Sequence, residues 1–107
     1  MDTLKVMKAL ANETRVQILH WLKEPAKNFN VFQSCFSEKT ALNYDEMGVC
    51  VGMIQHKSGL SQSTISHYLS VLEDAGLVEA RRSGQWTYYK RDETAIAAFL
   101  QELGKEL

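Results

Sequence analysis

Gly59-Leu60-Ser61-Gln62-Ser63-Thr64-Ile65-Ser66-His67-Tyr68-Leu69-Ser70-Val71-Leu72-Glu73-Asp74-Ala75-Gly76 contains its own start and stop signals. Ile65, Leu69 and Leu72 recur at helical spacing, which predicts a helix over about Gln62–Ala75 with one buried face. Ser61 precedes it as a good N-cap. Gly76 is positioned to end it in the left-handed conformation that glycine tolerates. Upstream, Val51 and Ile54, then Leu60 after Ser58-Gly59, suggest a short helix and a tight turn. A short helix, a glycine-containing turn and a second capped helix make a helix-turn-helix.

The residues that follow extend this unit. Leu77–Arg82 and Gln85–Lys90 are strand-like, and Ser83-Gly84 between them predicts a two-residue hairpin turn. A two-stranded hairpin directly after a helix-turn-helix is a wing. Asp92 caps a last helix with an apolar stripe of Ile96, Phe99, Leu100 and Leu103. Towards the N-terminus, Leu4, Met7 and Leu10 mark a short helix. Asn12 caps a second helix, whose apolar face is Val16, Ile18, Leu19, Trp21 and Leu22. Pro25 ends it, because the residue before proline is pushed out of the α region. The stretch from 25 to 49 is an unusual insert. Three of the four phenylalanines, Phe29, Phe32 and Phe36, fall there at helical spacing, followed by Leu42, Tyr44 and Met47. The expected fold is mainly α, an α+β winged helix with helices at both ends. Residues 1–107 form a single domain carrying the insert at about 25–49.

Composition sets the outer limits. A chain of 107 residues, 45% apolar and 23% charged, is an ordinary globular domain. No run of 18 apolar residues occurs, so no transmembrane helix is expected. Met1 to Leu10 lacks the basic stretch and apolar core of a secretory signal. Two cysteines are too few for a disulfide framework. A cytoplasmic location with reduced thiols is the default expectation. The net charge of −1 argues against a generic polyanion binder. Its distribution says more. Residues 56–91 hold Lys57, Arg81, Arg82, Lys90 and Arg91 against Glu73, Asp74 and Glu79, a local +2, and the remainder carries −3. A small basic surface predicts salt-sensitive binding, and a dimer that doubles the contact.

At about 100° per residue, the face of the Gln62–Ala75 helix opposite its core presents Ser63, His67, Ser70 and Asp74. Gln62 and Ser66 lie on one flank and Thr64 on the other. The N-terminal half of this face is short, polar and free of acid. Small side chains allow close approach to a DNA major groove, hydroxyls and the helix N-terminus suit phosphate, and Gln can bond a base edge. Arg81 and Arg82 before the hairpin turn, with Lys90 and Arg91 after it, could straddle a neighbouring phosphate backbone. The DNA-contacting set is read as Gln62, Ser63, Thr64, Ser66, His67, Tyr68, Arg81, Arg82 and Gln85, with double-stranded DNA as partner. A winged helix used only for protein contacts is the alternative. It would predict a hydrophobic or acidic recognition face. No paired carboxylates, nucleophile–base grouping or phosphate-cradling glycine loop point to an enzyme, so no catalytic residue or cofactor is expected.

Several motifs in sequence resemble one family. Leu10-Ala11-Asn12-Glu13-Thr14-Arg15-Val16-Gln17-Ile18-Leu19 is similar to the opening of ArsR-type winged-helix repressors, the arsenical-resistance repressor family. Gly59–Ser66 matches its recognition-helix segment, and Gly76-Leu77-Val78, Arg81-Arg82-Ser83-Gly84 and Tyr88-Tyr89 match its wing. The resemblance covers residues 4–24 and 48–103. It implies a homodimeric repressor on a palindromic operator, with a dimer interface on the first and last helices: Leu4, Met7, Leu10, Ile96, Phe99, Leu100 and Leu103. The family's arsenic sensors carry Cys-Val-Cys where this chain has Cys50-Val51-Gly52. The zinc-type site needs Asp and His on the last helix, and Asp92 through Leu107 contains no histidine. No standard metal site is expected, and the residues specify no inducer. The family's Arg-His pair is His67-Tyr68 here, so base preference does not transfer.

Cys50 falls near a helix N-terminus, where partial positive charge lowers a thiol pKa. With Cys35 it could form a redox or electrophile sensor, part of a soft-metal site, or two inert core residues. His20 beside Trp21 reads as structural, and His56 could meet phosphate. The aromatic insert could line an effector pocket or widen the core or the dimer interface.

Overall fold

The computed structural model describes residues 2–29 and 47–107. Phe32, Cys35, Phe36, Leu42 and Tyr44 lie outside these residues, and so does most of the aromatic pattern of the insert. In chain order the elements are α1 (Thr3–Leu10), α2 (Glu13–Lys23), α3 (Pro25–Asn28), β1 (Val49–Cys50), α4 (Val51–Ser58), α5 (Gln62–Asp74), β2 (Val78–Ser83), β3 (Trp86–Arg91) and α6 (Glu93–Glu106).

The helix starts follow from local chemistry. Free amides of a first turn need acceptors, and short polar side chains just outside the helix supply them. Asp2 accepts from the Lys5 amide, Asn12 from Arg15, Ser61 from Thr64 and Asp92 from Ala95. Pro25 stands in the first turn of α3, where its missing N–H costs nothing. The end of α5 is a Schellman motif. The Leu77 amide donates to the Leu72 carbonyl at 3.0 Å and the Gly76 amide to that of Glu73 at 2.9 Å, with Gly76 at φ +82°.

The sheet order is β1-β3-β2, antiparallel throughout. The hairpin is shifted by one residue from the sequence expectation. Its strands run to Ser83 and from Trp86, so the turn is Gly84-Gln85. A tight hairpin turn needs positive φ at its first central position, and Gly84 supplies it at +61° where Ser83 would be strained. Strand β1 was not expected. It pairs Val49 with Tyr89 and Cys50 with Tyr88. Gly48 makes this possible, at φ +84°, with a Cβ there falling 2.5 Å from the Tyr89 carbonyl oxygen.

Ile18, Met53, Ile54, Ile65, Leu69, Leu72, Leu77, Val6, Val49 and Cys50 form the fully buried centre. Burial in α1 differs from the expected stripe. Val6 and Ala9 face the core, while Leu4 and Met7 are exposed on the opposite side and Leu10 is partly buried. α1 therefore has two apolar faces, only one of which this chain covers. In α6, Phe99 is 4% exposed and belongs to the core, and Leu100 at 61% points away.

Candidate nucleic-acid interface

The buried face of α5, Ile65, Leu69 and Leu72, locks the helix onto the core and so fixes what its other side presents. Gln62, Ser63, Ser66 and His67 are exposed. Thr64 is half-buried, and its hydroxyl accepts from the Ser61 Oγ at 2.9 Å. The Ser61 and Ser63 hydroxyls lie 3.3 Å apart. Thr64 thus supports the N-cap, and the outward surface is Gln62, Ser63, Ser66 and His67.

Tyr68 is half-buried and packs against the core. Its ring centroid is 6.1 Å from that of His67, at a 45° tilt, and the Arg15 guanidinium lies over it at 5.4 Å. This places Tyr68 on the flank of α5 towards Arg15 and the core, apart from the fully exposed Gln62, Ser63, Ser66 and His67.

On the wing, Arg81, Arg82 and Gln85 are exposed. Arg91 is not part of that surface. Its side chain is only 10% exposed, with Nη1 donating to the Leu19 carbonyl at 3.3 Å and Nη2 to Glu93 Oε1 at 3.0 Å. Its Nε sits 2.9 Å from Glu93 Oε2, close enough for an ion pair though out of hydrogen-bond alignment. A residue counted into the basic cluster instead ties β3 to α2 and α6. Lys90 stands opposite Glu79 in the strand register. Lys57 extends over the Trp21 and Phe29 rings, at 5.4 and 5.9 Å, and those rings meet edge to face at 6.4 Å. Charge count alone therefore overstated the cations on this surface.

His56 is exposed at the end of α4 and borders a shallow depression with Gly52, Gln55, Gly59 and Leu60. His20 is exposed on α2. Tyr89, half-buried in the middle strand, has its hydroxyl pKa raised above 10.0 by burial and secondarily by the Glu73 carboxylate. Cys50 is 1% exposed, immediately precedes α4 and is disulfide-bonded. Among the described residues, no group of three or more His, Cys, Asp or Glu is positioned to hold a metal ion. No helix among them is long and apolar enough to cross a membrane.

Arg15, Gly48 and the Trp21–Lys57 contact were absent from the sequence expectations as functional or structural determinants. Arg15 had two signals, its place three residues after the Asn12 cap and its place in the Leu10–Leu19 stretch that resembles the family's opening, and neither assigned it a contact.

A capped helix with an exposed polar first half, preceded by a short helix and followed by a basic hairpin, defines a winged helix-turn-helix DNA-binding fold. Comparison with known proteins supports this class and narrows it. The family described as "Bacterial regulatory protein, arsR family" matches residues 49–80. The uncharacterized HTH-type transcriptional regulator YbzH of Bacillus subtilis is 44% identical over 107 residues, all of both chains. The fold is similar to that of Mb0332 from Mycobacterium bovis, whose solution structure is described as a homodimeric winged helix-turn-helix DNA-binding domain. There the TM-score is 0.61 at 31% identity, over 98% of this chain and 81% of that one. HlyU from Vibrio cholerae matches with a TM-score of 0.61 at 28% identity, over 95% of this chain and 87% of that one. The chain belongs to the ArsR family of winged helix-turn-helix transcriptional regulators.

Proposed function

We propose that this regulator is a homodimeric repressor that binds a two-fold symmetric operator in double-stranded DNA. The observation that carries this reading is the acid-free, exposed start of α5, Gln62, Ser63, Ser66 and His67, beside exposed Arg81, Arg82 and Gln85 on the wing. The α5 side chains would meet base edges in the major groove, and the wing arginines the adjacent phosphates. Exposed Leu4, Met7 and Leu100 on α1 and α6 support a dimer, as does the homodimeric state of Mb0332. A dimer covering promoter DNA excludes polymerase, and this is the basis for repression. Such a role belongs in the cytoplasm.

The proposed signal for release is oxidation rather than a standard metal. Cys50 leads directly into α4, the first helix of the helix-turn-helix, and is disulfide-bonded. Cys35 is the other cysteine of the sequence. A peroxide would take two electrons and two protons from the Cys35 and Cys50 thiols, leaving a disulfide and two waters. Because the disulfide-bonded form still exposes the α5 face and the wing, release would come from a change in how α4 is held and not from covering those contacts.

A mobility-shift assay on the protein's own upstream DNA, with reductant, peroxide, arsenite and zinc in separate lanes, tests both parts. The expected result is a retarded complex in reductant, lost with peroxide and insensitive to zinc and arsenite. Cys35→Ser and Cys50→Ser should each abolish the peroxide response. Release that persists in the double variant would make the thiols structural.

A further inference from the structure

The Arg15 side chain touches two helices besides its own. Its Nε donates to the Ala9 carbonyl at 2.6 Å and its Nη2 to the Lys8 carbonyl at 3.1 Å. Both carbonyls lie at the C-terminal end of α1, where a helix runs short of internal donors and carries partial negative charge; the Lys8 carbonyl also accepts from the Ala11 amide at 3.2 Å. The same guanidinium lies over the ring of Tyr68 on α5, with Cζ 5.4 Å from the centroid. Arg15 is itself fixed at the start of α2 by its amide, which donates to Asn12 Oδ1 at 3.0 Å. Three helices converge on one planar cation. One carries the exposed Leu4 and Met7, and another presents the polar face of Gln62, Ser63, Ser66 and His67.

We infer that Arg15 is a positioning residue for DNA binding. Acting through Tyr68, it fixes the angle between α1 and α5, and with it the separation of the two recognition helices across a dimer. The inference rests on the dimeric reading proposed above. The geometry needs a fork. Two carbonyls are held by separate nitrogens while the charged centre lies over a ring, and a lysine ammonium supplies a charge but no fork to hold both carbonyls at once. Tyr68 contributes its ring from the protein side of α5, so its hydroxyl is dispensable.

The test uses the full chain and a duplex selected from random sequence by the wild-type protein. Binding is measured by fluorescence anisotropy on that duplex, on the same duplex with one base pair added at its centre, and on a single half-site. Arg15→Lys and Tyr68→Leu should each weaken binding to the complete duplex about ten-fold, because a dimer loses two joints worth a few-fold each. Both should stay within about two-fold of wild type on the single half-site, which also reports that they are folded. Both should lose less than wild type does when the extra base pair is added. Tyr68→Phe should match wild type throughout. Equal losses on half-site and complete duplex would overturn the inference by making Tyr68 a direct DNA contact. A defective Tyr68→Phe would overturn it by assigning the effect to the hydroxyl. An unaltered Arg15→Lys would overturn it too. Wild-type protein that binds the complete duplex no better than a half-site would instead overturn the dimeric reading, and this inference with it.

Discussion

Gln62 and His67 are about 1.4 turns apart on α5, both exposed, with the buried Ile65 between them in sequence. An amide at the first helical residue can make two hydrogen bonds to a base edge, and an imidazole can make one. Gln62→Ala and His67→Ala should therefore weaken binding to the selected operator by about 1–3 kcal/mol each while leaving non-specific DNA nearly untouched. Competition anisotropy against operator and scrambled duplexes reads this directly, and equal losses on both would mean that neither residue reads bases. Tyr89 belongs to a different kind of residue-scale argument. Burial, and then the Glu73 carboxylate, raise its pKa above 10.0, so the folded state favours the neutral phenol. Its contribution to stability is whole below pH 10 and is lost as the pH rises through the higher folded value. The urea midpoint of wild type should fall relative to Tyr89→Phe above pH 10, and Glu73→Gln should lessen the fall. Parallel midpoints from pH 8 to 11 would remove Tyr89 as the cause.

At the scale of elements, the wing and β1 depend on one another through β3. Gly48 lets β1 approach, and Gly48→Ala would force a Cβ to within 2.5 Å of the Tyr89 carbonyl at a positive φ. A loss of about 3 kcal/mol in unfolding free energy is expected from strain and clash together. An unchanged denaturant midpoint would mean that β1 contributes little to the sheet. The exposed Arg82 on β2 should act on DNA instead. Arg82→Ala should lower the slope of log affinity against log salt by about one per protomer, and an unchanged slope would take it out of the phosphate contacts. Legibility in the sequence follows the same division. Asn12, Ser61 and Asp92 could be read as caps because a cap acts on an amide three residues away. The α5 core and its polar face could be read because helical periodicity is local. β1 could not, since two residues make no periodic pattern and their partners lie about 40 positions on. Nor could the fate of Arg91, because a count of charge does not say which carboxylate or carbonyl a long side chain will find. The one-residue shift of the hairpin is a near miss of the same origin: Ser83-Gly84 and Gly84-Gln85 both look like turns, and only the backbone sign at Gly84 separates them.

For the whole molecule, the decisive feature is that its two terminal helices lie together and leave apolar side chains outside. Thr3 at the start of α1 donates to Glu106 near the end of α6 at 3.3 Å, so the two helices form one surface. Leu4 is 57% exposed, Met7 38% and Leu100 61%, whereas Phe99 has turned inward to the core. Of the seven interface residues the family resemblance implies, Leu4, Met7 and Leu100 are thus the ones with most surface left to bury. An apolar patch contributed by both ends of a chain suits a two-fold interface, in which the same surface meets itself. Neither Leu4 nor Leu100 supports the core, so charge placed there should separate protomers without unfolding them. The double variant Leu4→Glu, Leu100→Glu should sediment as a monomer at concentrations where wild type is a dimer, with an unchanged circular dichroism spectrum. Its affinity for the complete operator should fall by about 100-fold or more, because the second half-site no longer adds to the first, while its affinity for a single half-site stays near wild type. A variant that remains dimeric would move the interface elsewhere on the molecule. A monomer that keeps full operator affinity would show that one helix-turn-helix and one wing suffice, so that the modest +2 of residues 56–91 needs no doubling.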